Sequence, residues 1–170
     1  MRQLPSYMGD MGSVELVPGT LRGYRGWRWD PCCSKLLSTG IMYVWERERL
    51  QRDATCVPSG IARPPMFHSS PASWCVCGYY ASYAPRDYEL HAGIYGPDYL
   101  HGTISAHGFI VLGTGGFRAQ RVQVDALYGP GGQRAAEVYG VPWFVTIEEM
   151  VKEFPPSNVD ELIGAPRASA

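Results

Sequence analysis

From Leu100 to Leu112 and again from Phe117 to Tyr128 the chain alternates with a period of two, the runs being separated by Gly113-Thr114-Gly115-Gly116. Side chains on an extended strand point to opposite faces in turn, so Ile104, Ala106, Gly108, Ile110 and Leu112 share one side of the first run. In the second, Arg118, Gln120, Val122, Val124, Ala126 and Tyr128 alternate against Phe117, Ala119, Arg121, Gln123, Asp125 and Leu127. Two such runs joined by a glycine-rich turn predict an antiparallel hairpin over residues 100–128. Elsewhere, 20 glycines and 14 prolines break the chain every few residues and leave no room for long helices. With 170 residues, 45% of them apolar, the chain is long enough to bury one core.

The remaining pattern fits around that hairpin. Gly19 to Asp30 alternates aromatic and basic residues, as a strand does when Trp27 and Trp29 face one layer and Arg28 the other. Leu36 to Leu37 and Ile41 to Trp45 read as short strands around Gly40, and Tyr88 to Tyr95 as a further β segment. Residues 46–53 are charged and too short for a stable lone helix, so a helical turn or an exposed loop is expected. Arg134 to Tyr139 predicts a short helix ended by Gly140. Thr146 with Glu149 three residues later is a capping box, opening a helix that runs through Val151 and stops before Pro155-Pro156. The expected fold is α+β: mainly antiparallel β-sheet, with a zinc-pinned irregular loop and short C-terminal helices. Residues 1–13 read as a flexible arm, 14–154 as a single domain and 155–170 as a flexible tail.

Charge limits the range of partners. The net charge of −1 argues against general polyanion binding, although residues 1–63 hold nine Lys/Arg against six Asp/Glu and residues 64–170 hold six against ten. No apolar run approaches the roughly 20 residues that a membrane span needs. Met1 to Ser13 lacks the basic and apolar regions of a signal peptide, and a cytoplasmic protein is expected. In a reducing compartment an odd set of five cysteines fits ligands or buried thiols better than a closed disulfide framework.

The thiols have a pattern: Cys56-x11-His68-x6-Cys75-x-Cys77. Three thiolates and an imidazole are a usual tetrahedral zinc set. Prolines at 58, 64, 65 and 71 make the intervening backbone irregular, and a bound ion would supply the folding energy that such a segment lacks. Cys32 and Cys33 could replace one ligand, and buried free thiols beside an exposed His68 are the competing reading. With four protein ligands the coordination sphere is closed, which favours a structural ion over a catalytic one.

An ordered set of motifs also carries a resemblance. Gly-Tyr-Arg-Gly-Trp-Arg at 23–28, Ala54-Thr55-Cys56, His68, and Cys75-Val76-Cys77-Gly78-Tyr79-Tyr80-Ala81 are followed by Gly102-Thr103-Ile104-Ser105-Ala106-His107-Gly108 and Gly116-Phe117-Arg118-Ala119-Gln120. Over roughly residues 20–143, closing on Tyr139-Gly140-Val141-Pro142, the chain resembles an uncharacterised family found in actinobacteria and their bacteriophages. The resemblance implies a phage or actinobacterial origin, and with it a host cytoplasm, but no particular activity. A bias of 13 Arg to 2 Lys agrees with a GC-rich genome.

Other features compete for a role. His101-Gly102-Thr103 resembles one half of a 2H phosphoesterase, in which paired imidazoles act as acid and base while hydroxyls hold the phosphoryl oxygens. The nearest second copy, His68-Ser69-Ser70, runs straight into Pro71. His91, His101 and His107 could form a different metal or acid–base group, but His101 and His107, on one face of one strand, stand about 20 Å apart and cannot share a ligand unless the strand bends. Gly113-Thr114-Gly115-Gly116 lacks the Gly-Lys-Ser/Thr of a phosphate loop and precedes a strand pattern. Arg22, Tyr24, Arg25 and Arg28 could stack and clamp single-stranded nucleic acid, or belong to an amphipathic strand whose arginines snorkel to water. Lacking a convincing nucleophile, carboxylate pair or open metal site, the sequence favours a non-enzymatic interaction protein that binds a host protein or a protein–nucleic-acid complex. A phosphoesterase, metal-dependent or 2H-like and using His101 and Thr103, is the alternative.

Overall fold

In the computed structural model, the described residues are 13–15, 21–39, 43–48, 50–56, 68–72, 75–85 and 88–159. The expected N-terminal arm up to residue 12, most of the expected tail and the prolines at 58, 64 and 65 lie outside them. The strands are β1 (Ser13–Glu15), β2 (Leu21–Asp30), β3 (Lys35–Ser38), β4 (Tyr79–Ser82), β5 (Tyr99–Leu112), β6 (Gly116–Tyr128) and β7 (Trp143–Phe144). The helices are α1 (Tyr88–Tyr95), α2 (Gly132–Tyr139) and α3 (Ile147–Glu153). Every pairing between these strands is antiparallel except β6 with β7. The expected α+β architecture, mainly antiparallel sheet with short helices, is therefore the observed one.

The β5–β6 hairpin is the spine. β2 pairs along β5 from Leu21↔Ala106 to Arg28↔Tyr99, and β4 pairs along the far side of β6 from Tyr79↔Ala119 to Ser82↔Gly116. The Tyr24↔Ser82 pairing then joins β2 to β4, so β2, β5, β6 and β4 complete a closed circuit. Closure needs strongly coiled strands, and the hairpin register shifts at Thr103/Ile104 and at His107/Ile110, where an extra residue bends the strand. Inside the circuit Leu21, Trp27, Leu100, Ile104, Ala106, Ile110, Phe117, Ala119, Val122, Val124 and Leu127 form one buried cluster. Each large side chain among them contributes about 1.5–3 kcal/mol by leaving water. Gly23 makes the close approach possible, because a Cβ there would stand 2.7 Å from the Phe117 ring and 2.9 Å from the Ser82 carbonyl oxygen.

Aromatic side chains close one end. Trp45 packs edge-on to both Trp27 and Tyr79, with ring centroids 5.2 Å apart in each case, and its indole N–H donates to Ser38 Oγ at 3.0 Å. The Tyr139 hydroxyl of α2 accepts from the Leu36 N–H at 3.0 Å and donates to the Trp45 carbonyl at 2.9 Å. One phenol thus ties α2 to both β3 and the segment after it, and burial pushes its pKa up to about 12.

Two helix ends follow the expected local chemistry. Gly140 caps α2 in the left-handed conformation at φ 63°, and the Glu149 N–H donates to Thr146 Oγ1 at the start of α3. Two expectations are corrected. Tyr88–Tyr95 is helical, because His91 and Tyr95, one turn apart, both stack on Tyr99 of β5. Around Val44 a single bridge to Leu37 replaces the expected strand, while residues 40–42 lie outside the described set. Beyond α3 the chain stays on the sheet: Ser157 donates through its N–H to the Arg22 carbonyl, and its Oγ accepts from the Arg22 N–H.

Candidate metal centre

Two segments reach the site along the same edge of β6. β4 occupies that edge beside residues 116–119; beyond it, the Ala54 and Gln51 N–H groups donate to the Gln120 and Val122 carbonyls at 2.7 and 2.8 Å. Asp53 fastens this second segment, bonding Gln120 Nε2 at 2.7 Å and pairing with Arg121 at 3.2 Å. Cys56 therefore leaves the edge of the sheet beside the loop that carries Cys75 and Cys77. Gly78, at φ +115°, turns that loop into β4 and lies against β6, where an added Cβ would meet the Ala119 carbonyl oxygen and Arg118 Cβ at 3.3 Å each.

One ligand atom from each of Cys56, His68, Cys75 and Cys77 comes within 4.8 Å of the other three, a grouping that could hold a metal ion. Cys56 Sγ and Cys75 Sγ stand 3.6 Å apart. Two sulfurs bound tetrahedrally to zinc at about 2.3 Å would stand about 3.8 Å apart, so the pair already has nearly the spacing that the ion requires. The three thiols are half-buried and none is in a disulfide. His68 Nδ1 lies 3.0 Å from the Ser69 carbonyl oxygen. A proton held there would direct the other ring nitrogen, Nε2, to the metal, the usual outer contact of a metal-bound histidine.

Without an ion the cluster is electrostatically divided. Burial, then the neighbouring Cys75 and Cys77, push the Cys56 thiol up to about 11. At Cys75 burial also resists ionisation, but the Cys77 N–H, the Cys56 and Cys77 thiols and the His68 ring outweigh it and hold that thiol below its ordinary value. The Ser69 carbonyl, and after it Cys75, raise the imidazole pKa against the effect of burial. The pocket accommodates one thiolate and resists the next; a dication would remove that conflict.

The structure brings together all four residues of the expected ligand set, and leaves Cys32 and Cys33 exposed at the β2–β3 turn. It also locates the other candidates. His101 is 4% exposed, with Nε2 2.8 Å from the Tyr99 hydroxyl, and its ring packs against His91 of α1. Thr103 is fully buried and its hydroxyl has no hydrogen-bond partner among the described residues. A phosphoester could reach neither in this conformation. Arg22 pairs with Asp125 at 3.2 Å, and Tyr24 is buried. Arg25 lies over the Trp45 ring and donates to the Tyr80 carbonyl and Ser38 Oγ, while Arg28 faces solvent.

One residue beside the cluster does not stand out in the sequence. Arg118 is 1% exposed and donates to the carbonyls of Ala72, at 3.2 Å, Cys75 and Cys77, the last at 2.9 Å. By alternation it falls in one phase with Gln120, Val122 and Val124, and nothing in that pattern sets it apart. It is held by the carbonyls of Ala72, Cys75 and Cys77, whose positions no periodicity encodes. No family model, no curated protein and no solved structure matches the chain.

Proposed function

We propose that this is a small, non-enzymatic interaction protein whose irregular loop is held by a structural zinc ion on Cys56, His68, Cys75 and Cys77. The convergence of four ligand atoms to within 4.8 Å of one another carries the reading. A full set of protein ligands leaves no open position for activating water, which favours a structural role. The partner is a host protein or a protein–nucleic-acid complex. Leu90 and Ile94, 59% and 65% exposed, lie one turn apart on α1 and offer an apolar contact. Arginines at 22 and 25 make internal contacts, which favours a protein partner over direct nucleic-acid binding. The Arg-rich, Lys-poor composition and the family resemblance support a phage or prophage origin in actinobacteria.

Elemental analysis of purified wild type and of Cys75→Ser, followed by affinity capture from a host lysate, tests the reading. One zinc per wild-type chain and none in the variant are expected. A partner retained by zinc-loaded wild type and lost from a Leu90→Glu, Ile94→Glu double variant is expected in the capture. Equal zinc in both proteins would sink the ligand set, and capture indifferent to the double variant would sink the α1 surface.

A further inference from the structure

Arg118 poses a problem of charge. Its guanidinium is ionised at any ordinary pH and its side chain is almost completely buried. A buried charge is costly unless an opposite charge lies near. Yet among the described residues the ion pairs are Arg22–Asp125, Lys35–Glu46 and Arg121–Asp53, and Arg118 belongs to none of them. Its partners are neutral: three carbonyls and, 5.9 Å from the guanidinium carbon, the Tyr80 ring. Two of those carbonyls belong to Cys75 and Cys77, so the cation lies directly behind two of the four proposed ligands. Three thiolates, a neutral imidazole and a divalent ion carry a combined charge of −1.

Resting on the metal reading above, we propose that Arg118 is the counter-charge of the metal centre: the site takes its ion as a monoanionic three-thiolate, one-imidazole complex, which the guanidinium neutralises. Arg118 is then a positioning residue with two effects. Its guanidinium fork holds the carbonyls of Cys75 and Cys77 through Nη1 and that of Ala72 through Nη2, which fixes the backbone from which the two sulfurs converge. Its charge stands beside the ligand set on which the complex carries its excess negative charge. A site with two thiolates would be neutral with a divalent ion and would leave the buried cation uncompensated.

Zinc affinity of the full chain, measured by competition with a chromophoric chelator at fixed pH and salt, tests this with Arg118→Lys, Arg118→Gln and Arg118→Met. The glutamine variant keeps an amide donor without charge, and lysine keeps charge without the fork. Loss of about 10- to 100-fold in affinity is expected for Gln and Met, the usual range for an outer-shell partner, with Lys recovering most of it. Gln matching wild type, or Lys as weak as Met, would overturn the counter-charge role while leaving the metal site intact. Zinc-edge X-ray absorption of the wild type needs no variant to fold: three sulfurs and one nitrogen around the ion are expected, and two sulfurs would overturn the proposal. No zinc in the wild type would remove the metal reading itself, and this proposal with it.

Discussion

At the residue scale, the structure turns on positions where a side chain has no room or a charge has no obvious partner. Gly23 is the first kind. The obstructing atoms are a packed ring and a backbone carbonyl, neither of which yields cheaply. Gly23→Ala is expected to destabilise the fold by about 1–3 kcal/mol, the usual cost of overpacking, and urea unfolding of both proteins measures it. Unchanged stability would show that β2 and β4 can separate without cost. Arg118 is the second kind, and it marks the limit of what alternation reveals. Phe117 and Ala119 join the core from one phase of β6, and Val122 and Val124 from the other. The strand changes phase between them, near the His107/Ile110 register shift. Faces extrapolated from Val124 back to Arg118 are therefore reversed. The ligand set, by contrast, could be read directly, because thiol and imidazole chemistry is restrictive wherever the backbone goes.

At the level of elements, legibility followed length. β5 and β6 are long enough for period two to stand out, and the caps at Gly140 and Thr146 depend on adjacent residues alone. α1 failed because eight residues hold too little periodicity to separate strand from helix, and the deciding contacts come from Tyr99, beyond its end. The segment 50–56 is an element of another sort, extended and fixed to β6 by two main-chain bonds, with Cys56 at its end. Under the proposed reading the ion joins this segment to the Cys75–Cys77 loop. Chelation is therefore expected to raise amide exchange at Gln51, Ala54 and Cys75 by tenfold or more while the centres of β5 and β6 remain protected. Hydrogen exchange with and without chelator checks this, and uniform loss of protection would mean that the ion holds the whole fold.

For the whole molecule, closure of the strand circuit could not have been read from the sequence. It depends on Tyr24 meeting Ser82 across 58 residues of chain, and the Ser82 hydroxyl reinforces it by donating to the Tyr24 carbonyl. Among the described residues no helix is long and apolar enough to cross a membrane. Surface charge gives the folded state a pH dependence of known sign. Lys35, bonded to Glu46 at 3.0 Å, holds that carboxyl below its ordinary value; the Cys33 thiol, then the Cys32 and Cys33 N–H groups, do the same for Asp30. A carboxyl with a lowered folded pKa stabilises the fold above its unfolded value, and that stability is lost as pH falls through the folded value. The urea midpoint of metal-free protein should thus fall between about pH 5 and pH 3, and more gently in Glu46→Gln. Equal slopes in the two proteins would remove Glu46 from the account.

The shared edge of β6 has one more consequence. β4 and the Gln51–Ala54 segment together cover a row of main-chain donors and acceptors that would otherwise be free to template pairing with another chain. Half of that cover is a strip with little core of its own, secured at its far end by the cysteine cluster. An ion at the cluster would then act as a guard on solubility: its loss would bare a sticky margin of the sheet before the strand circuit itself came apart.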